Sequence, residues 1–236
     1  MEALNNHLSE TSTPIPLSLA IISNGIDIKK SSYFASNTFP LKIAFLSNPS
    51  RMNDSMQINN NATDSIETKT NETNKNRLSG TSLEEDREMY NISYAIYKVG
   101  DDLRQDQLTL QMIRLMDKLW LKEGLDMKMI TFLCVPTGDR QGLVEMVTEA
   151  KTLKDIQVSG GRGVTGGFKD TPIADWLKKY NSSTLEFEKA KDNFTRSCAG
   201  YSIATYLLGI CDRHNDNIMV KKTGHIFHIG NLIARI

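Results

Sequence analysis

The chain has 236 residues, 39% of them apolar, which suffices for one large domain or two small lobes with a real core. Lys and Arg together number 28, as do Asp and Glu, so no charge excess favours nucleic acid or a strongly anionic partner. The three cysteines show no metal-binding or disulfide spacing, the N-terminus does not resemble a signal peptide, and no stretch approaches the ~18 apolar residues of a membrane span. We therefore expect an intracellular protein with reduced thiols and no transmembrane segment.

The first predicted elements follow a short N-terminal tail, residues 1–13. Residues 14–45 alternate apolar and polar side chains, and PLKIAFL (40–46) is typical of a strand. Residues 47–89 are rich in Asn, Thr and Ser and contain almost no large apolar side chains, so they cannot bury enough surface to offset chain entropy. We predict a disordered insertion there; the alternative is a functional Asn-rich segment.

Strands and helices alternate after the insertion. NISYAIYKVG (91–100) predicts a strand, and GLVEMV (142–147) predicts a second, shorter one. Between them, apolar side chains at helical spacing predict an amphipathic helix; they are Leu108, Met112, Leu115, Met116 and Leu119. The segment MKMITFLCV (127–135) predicts a buried strand between this helix and the shorter strand.

The last part of the chain is mostly helical. Thr171 and Pro172 are typical of a helix N-cap and first turn, and a long helix is predicted over about Thr184 to Leu208. NIMVKKTGHIFHI predicts a hairpin with Thr223-Gly224 near its turn. The change from mixed to mainly helical character suggests two lobes joined at EMV (145–147).

A polar loop lies between the long helix and the hairpin. Asp212 precedes Asn217 by five residues, and the catalytic loops of protein kinases place an Asp base and a metal-binding Asn at that spacing. A polar turn held by an Asx-type hydrogen bond has the same composition, so the spacing alone leaves both interpretations open. The Gly-rich segment 159–169 lacks the Lys and Ser/Thr of a P-loop, so we interpret it as an exposed connection.

Longer strings resemble the phosphoinositide 3-kinase/4-kinase superfamily. GDDLRQDQLTLQMIRLMDKLWLKEGLDMKMI, GVTGGFKDTPIADWLKKYN and LGICDRHNDNIM most resemble class II phosphoinositide 3-kinases. The resemblance covers about residues 14–229 apart from the insertion. It implies an α+β, bilobal, protein-kinase-like fold, with an antiparallel sheet in a small lobe (14–147) and a helical, truncated large lobe (148–236).

The resemblance also implies a set of nucleotide-binding residues. Lys98 would contact the ATP phosphates, and Asp101 and Asp106 would orient this lysine and its surroundings. Ser36 would lie at the tip of a phosphate-covering loop. The remaining members would contact adenine, through the backbones of Glu145 and Val147 and the apolar side chains of Met219 and Ile229.

The resemblance assigns the chemistry to the polar loop. Asp212 and His214 are the candidates for the group that takes the proton of the lipid hydroxyl, and the sequence does not choose between them. Asn217 is the implied Mg²⁺ ligand. Gly230 stands where the family has the metal-binding Asp of its D-F-G triplet, and the family's head-group-reading loop does not follow it.

These residues imply a lipid kinase that uses ATP and Mg²⁺ to phosphorylate the 3-hydroxyl of phosphatidylinositol or phosphatidylinositol 4-phosphate. We expect this truncated chain to be inactive alone. The alternatives are a non-catalytic fragment that binds nucleotide or a partner weakly, and a serine/threonine kinase of the related protein-kinase branch. The implied partners are a phosphoinositide lipid and protein partners of the full-length enzyme, with no nucleic acid, and the implied location is cytoplasmic with peripheral association at the plasma membrane or endomembranes.

Overall fold

The computed structural model describes residues 1–35, 39–47, 91–160, 171–211 and 213–230. The chain forms two compact units, of which the first comprises Met1–Ser31 and Ala44–Ser93 and the second Ser32–Ile43 and Tyr94–Ile236. Residues 48–89 of the predicted insertion and most of the Gly-rich connection lie outside the described residues.

In its described residues, the first unit contains one helix and short antiparallel strands. They are α1 (Glu2–Thr11), β1 (Thr13–Ile15), β2 (Ser18–Ser23) and β3 (Gly25–Ile26). Strand β5 runs from Leu41 to Ser47, and its residues from Ala44 onward belong to this unit. β1 pairs with β2, and β3 pairs with β5. The Asn5 side chain accepts a hydrogen bond from Ile26 N at 2.7 Å, and Leu8 is buried. Residues 1–13, which we treated as a tail, therefore contain a helix that packs on β3.

The strands of the second unit pair antiparallel. They are β4 (Ser32–Tyr33), β6 (Asn91–Val99), β7 (Cys134–Gly138), β8 (Gln141–Glu145), β9 (Ala150–Thr152), β10 (Ile218–Lys221) and β11 (Ile226–His228). β8 lies between β6 and β7, and β4 pairs with the first residues of β5. β10 lies between β9 and β11, so the predicted hairpin is confirmed. The predicted strand at 127–135 is wrong for most of its length, because regular pairing begins only at Cys134.

The second unit also contains four described helices with well-defined starts. They are α2 (Leu103–Lys122), α3 (Leu153–Ser159), α4 (Pro172–Tyr180) and α5 (Thr184–Leu207). α5 begins with a capping box between Ser183 and Glu186, which satisfies two backbone donors at once. Thr171 precedes α4 as predicted, but its hydroxyl donates to the Asp175 carboxylate at 2.8 Å and does not cap the backbone. No described helix is both long and apolar enough to cross a membrane.

The buried side of α2 differs from the side that the spacing of its apolar residues suggested. Leu103, Leu110 and Ile113 face the main core and the partly buried Met116 packs against it, whereas Leu108, Met112, Leu115 and Leu119 are exposed. The helix carries apolar side chains around much of its circumference, so periodicity could not choose the buried face. The main core adds Phe132, Cys134, Tyr201, Ala204 and Phe227. The predicted α+β class with antiparallel sheets is confirmed.

A second core lies beneath the hairpin. Val220 and Ile226 pack there against Ile156, Trp176 and Leu177, which come from α3 and α4. The hairpin is therefore held from both of its faces, since Phe227 packs into the main core. This packing fixes the two strands that flank the polar loop.

Candidate functional site

A cavity of about 500 Å³ lies within the second unit. This volume is typical of small-molecule sites, and most of the wall is apolar. The apolar wall includes Ile96, Phe132, Cys134, Val144, Val147, Met219, Phe227 and Ile229. Strands β6, β7 and β8 therefore supply one part of the wall, and the hairpin β10–β11 supplies another.

The cavity brings together most of the nucleotide-binding residues implied by the sequence. Those that line it are Lys98, Asp106, Glu145, Val147, Met219 and Ile229. Asp101 is outside the lining but contacts Lys98. Ser36 and Asp212 lie outside the described residues, so the structure gives no position for either.

The Lys98 ammonium is held near the end of β6. Its Nζ donates to Asp101 Oδ2 at 3.3 Å, and both side chains are partly buried, with 22% and 29% of their surface exposed. Lys98 lies opposite Gly142 in the β6–β8 ladder, so no side chain from that position of β8 competes for its space. Asp106, in the first turn of α2, is buried and lines the same cavity.

The backbone at 145–147 is fixed by hydrogen bonds on two sides. Glu145 N donates to Leu133 O at 2.7 Å, and Met146 N donates to Tyr94 O at 3.0 Å. The Glu145 carboxylate also accepts from Leu133 N at 2.8 Å. None of these bonds uses the Glu145 carbonyl or the Val147 N–H, which are the acceptor and donor that an adenine edge requires.

Helix α3 anchors the polar loop. Lys154 N donates to Asn215 O at 3.1 Å, and the Lys154 ammonium lies 2.9 Å from Asp216 Oδ2. The Asn215 amide donates to Gln157 Oε1 at 2.9 Å. Because α3 follows β9 directly, the loop and the cavity wall near 151–155 are parts of one hydrogen-bonded assembly.

His214 and Asn217 contact each other at the base of the hairpin. His214 Nε2 and Asn217 Nδ2 are 3.0 Å apart, and Asn217 N donates to His214 O at 2.8 Å. Ile229 N donates to Asn217 O at 2.9 Å, which places Asn217 beside the end of β11. Gly230 follows there and lines the cavity, so Asn217 stands at the edge of the cavity without being part of the described wall.

The Asn217 side chain occupies the space that a side chain at residue 230 would need. A Cβ at residue 230 would stand 2.9 Å from Asn217 Oδ1, and the Gly230 backbone has φ +83°. Residues other than Gly, Asn and Asp rarely adopt that backbone conformation. The local backbone therefore suits glycine.

The described residues do not fit a Mg²⁺ ion bridging phosphates. Mg²⁺ prefers octahedral oxygen ligands that include carboxylates. Among the described residues, no group of three or more His, Cys, Asp or Glu side chains is placed to hold a metal ion. The implied ligand Asn217 offers one uncharged carboxamide, and Gly230 offers no side-chain oxygen.

Two buried groups near the cavity were not assigned a role from the sequence. Cys134 lines the cavity, and burial raises the pKa of its thiol to about 11. His228 stacks on Tyr201 with ring centroids 4.8 Å apart, and burial, with a smaller contribution from Arg213, lowers its pKa to about 4. His228 is thus uncharged at neutral pH. The apolar run at 127–135 predicts burial of Cys134, whereas the stacking of His228 on Tyr201 depends on tertiary packing.

Comparison with known proteins supports the resemblance seen in the sequence. The family model for phosphatidylinositol 3- and 4-kinase matches residues 92–234. Phosphatidylinositol 4-phosphate 3-kinase C2 domain-containing subunit beta from Homo sapiens is 46% identical over 215 residues, which are 91% of this chain and 11% of the relative. The alpha subunit from Pongo abelii is 43% identical over 97% of this chain, and phosphatidylinositol 3-kinase 1 from Dictyostelium discoideum is 45% identical over 88% of it. The chain spans 11% of the length of each of these relatives.

Proposed function

Because this chain belongs to the phosphatidylinositol 3- and 4-kinase family, we propose that its second unit holds the nucleotide site of a class II-like phosphatidylinositol 3-kinase domain. The reaction of that domain is transfer of the ATP γ-phosphate to the 3-hydroxyl of phosphatidylinositol or phosphatidylinositol 4-phosphate. The observation that carries this proposal is that Lys98, residues 145–147 and Met219 line the same cavity. The names of the relatives, two phosphatidylinositol 4-phosphate 3-kinases and one phosphatidylinositol 3-kinase, support the acceptor class.

Different residues of the chain would bind the nucleotide and take up the proton of the lipid hydroxyl. The Lys98 ammonium would bind the phosphates, and the Glu145 carbonyl with the Val147 N–H would hold the adenine edge. The lipid hydroxyl oxygen would bond to the γ-phosphorus while the bond to the bridging oxygen of ADP breaks. The hydroxyl proton would pass to Asp212 or His214. In such reactions positioning and charge stabilisation supply most of the rate enhancement.

We further propose that residues 1–236 do not catalyse this reaction at a measurable rate on their own. The reason is Gly230, which removes the carboxylate that the family uses to hold Mg²⁺ where charge develops on the phosphates. In a full-length relative, ATP and Mg²⁺ would be the cofactors. The reaction would take place at a phosphoinositide-containing membrane surface that faces the cytoplasm. A non-catalytic domain that binds nucleotide is the second candidate, and the same Gly230 favours it.

Radiolabelled ATP turnover on vesicles tests the proposed function. We expect the purified chain to give no more product on phosphatidylinositol or phosphatidylinositol 4-phosphate vesicles than Asp212→Ala gives. In a chimera that takes its sequence from residue 230 onward from a class II relative, we expect product, and Lys98→Ala or Asp212→Ala should lower it by orders of magnitude. Near-normal turnover in both chimera variants would refute the roles, and product from the unaltered chain would refute its inactivity.

A further inference from the structure

We propose that the cavity of this chain binds an uncharged purine nucleoside at least as tightly as a metal-bound nucleoside triphosphate. This inference rests on the proposed nucleotide site and specifies its ligand. It arises from the charges of the cavity wall and from the glycine at its edge.

The charged groups of the described wall are mainly acidic. The carboxylates are Asp106, Glu145, Glu149 and Asp155, and the ammonium groups are Lys98 and Lys151. Lys98 is already paired with Asp101, while Glu149 is paired with Lys222 at 3.2 Å. A triphosphate would therefore meet a wall on which the described carboxylates outnumber the cations. Asp106 is buried, whereas the residues Glu145, Glu149 and Asp155 are exposed, so water screens part of the repulsion that these like charges cause.

Among the described residues, the edge of the cavity offers no charged metal ligand that would offset this repulsion. A metal ion could compensate for the acidic wall, but Gly230 contributes no side-chain oxygen, and its neighbour Asn217 contributes only an uncharged one. The left-handed backbone at Gly230 and the position of Asn217 Oδ1 show that this arrangement is part of the local fold.

The remainder of the wall suits a planar, uncharged ligand. Phe132, Val144, Met219 and Ile229 provide apolar surface for a purine ring. The backbone at 145–147 is held by the hydrogen bonds of Glu145 N and Met146 N, its Glu145 carbonyl and Val147 N–H are the proposed acceptor and donor for a purine edge, and Cys134 adds an uncharged thiol. Apolar contact and two backbone hydrogen bonds can hold a ring of this size without any phosphate contact.

Isothermal titration calorimetry of the whole chain with adenosine, ADP and ATP, each with excess Mg²⁺ and with EDTA, tests the inference. We expect adenosine to bind at least as tightly as ATP in both conditions. Tighter binding of ATP than of adenosine in Mg²⁺ would overturn the inference and leave the proposed function intact. Absence of binding by all three ligands would overturn both.

A matched pair of methionine variants locates the binding. Met219→Ala removes a cavity side chain and should weaken adenosine by about fivefold or more. Met112→Ala removes an exposed methionine of α2 and should leave the affinity unchanged. Equal effects of the two variants would show that adenosine binds outside the cavity and would overturn the assignment.

Discussion

The Lys98 ammonium and the Asp101 carboxylate lie 3.3 Å apart beside the cavity, so the cation nearest an incoming phosphate already has a counter-charge. Replacing Asp101 by Asn keeps the shape of the side chain and removes that charge. We expect Asp101→Asn to raise ATP affinity by about two- to fivefold and to leave adenosine affinity unchanged, because a partly exposed pair of this kind is worth up to about 1 kcal/mol. Calorimetry at low and at physiological salt measures the change, which should shrink as salt rises.

The neighbouring residue provides the control for this charge change. Asp102→Asn removes the same charge one residue later, where the carboxylate pairs with Arg104 and caps α2. Asn is also a good N-cap, so the helix start should be preserved. Equal gains in ATP affinity from both variants would mean that net charge, and not the Lys98 pair, sets the affinity.

Gly230→Asp should restore a metal response. Asp and Asn are the side chains that best tolerate the left-handed backbone at this position, and the atom in the way belongs to the Asn217 side chain, which can rotate. We expect Mg²⁺ to strengthen ATP binding to Gly230→Asp by about tenfold relative to the unaltered chain. Gly230→Asn is the uncharged control of the same shape, and a similar Mg²⁺ response in that variant would contradict the explanation.

His228 should make the fold sensitive to acid. Its pKa in the folded chain is lowered to about 4 by burial and by Arg213, so the unfolded chain takes up a proton near pH 6.5 while the folded chain does not. The free energy of unfolding should therefore fall as pH drops from about 6.5 to 4, by up to about 3 kcal/mol from this residue. Burial also lowers the pKa of His225, which adds to the slope in the same direction.

His228→Phe tests this origin of the acid sensitivity. Phe keeps a ring against Tyr201 and removes a buried Nδ1 that has no hydrogen-bond partner among the described residues. Urea unfolding at pH 7 and pH 5 should show a smaller loss for His228→Phe than for the unaltered chain. A pH dependence that is the same in both proteins would show that other groups cause it.

Ser197 should be a larger contributor to stability than its size suggests. Its hydroxyl donates to Asn193 O at 2.6 Å and accepts from Ile226 N at 2.9 Å, so it joins α5 to the hairpin strand β11. Ser197→Ala leaves a buried N–H unsatisfied, and we expect a loss of about 1–3 kcal/mol in urea unfolding. Ser202→Ala removes an exposed hydroxyl that bonds only within α5. It should cost less than about 0.5 kcal/mol, and comparable losses for the two variants would disprove the cross-link.

Gly224 should tolerate no side chain at the hairpin turn. It has φ +92°, and a Cβ there would collide with the Ala190 carbonyl oxygen of α5. We expect Gly224→Ala to destabilise the chain by more than about 3 kcal/mol in urea unfolding. Gly124 has a similar φ of +75°, but a Cβ there would meet open space. Gly124→Ala should therefore lower the free energy of unfolding by only about 1 kcal/mol. Equal costs would mean that backbone strain alone determines the effect.

The sequence predicts elements whose signals are local. The strand at 40–46, the hairpin turn at Thr223-Gly224 and the long helix from Thr184 each depend on neighbouring residues, and the structure has all three. The motif resemblance likewise named residues that meet in one cavity although they are more than a hundred positions apart, as Lys98 and Met219 are.

Features that depend on tertiary packing could not be predicted. The buried face of α2 is chosen by Phe132, Tyr201 and Phe227, which come from distant parts of the chain. The segment before Cys134 is apolar enough to suggest a strand, yet the carbonyls of Ile130 and Phe132 accept from side chains of α5 and α2, and the hydrogen bonds to β8 begin only at Leu133. The acidic character of the cavity wall has the same origin, since it depends on which of many carboxylates the fold turns inward.

The three thiols of the chain differ in how readily a reagent can reach them. Cys211 is exposed, Cys198 is half-buried and Cys134 is buried in the cavity wall, where its raised pKa keeps it protonated at neutral pH. Alkylation requires the thiolate, so Cys134 should react only when the second unit opens. In a Cys198→Ser, Cys211→Ser background, the rate of maleimide labelling at Cys134 would thus measure how often the cavity opens. A bound nucleoside should lower this labelling rate.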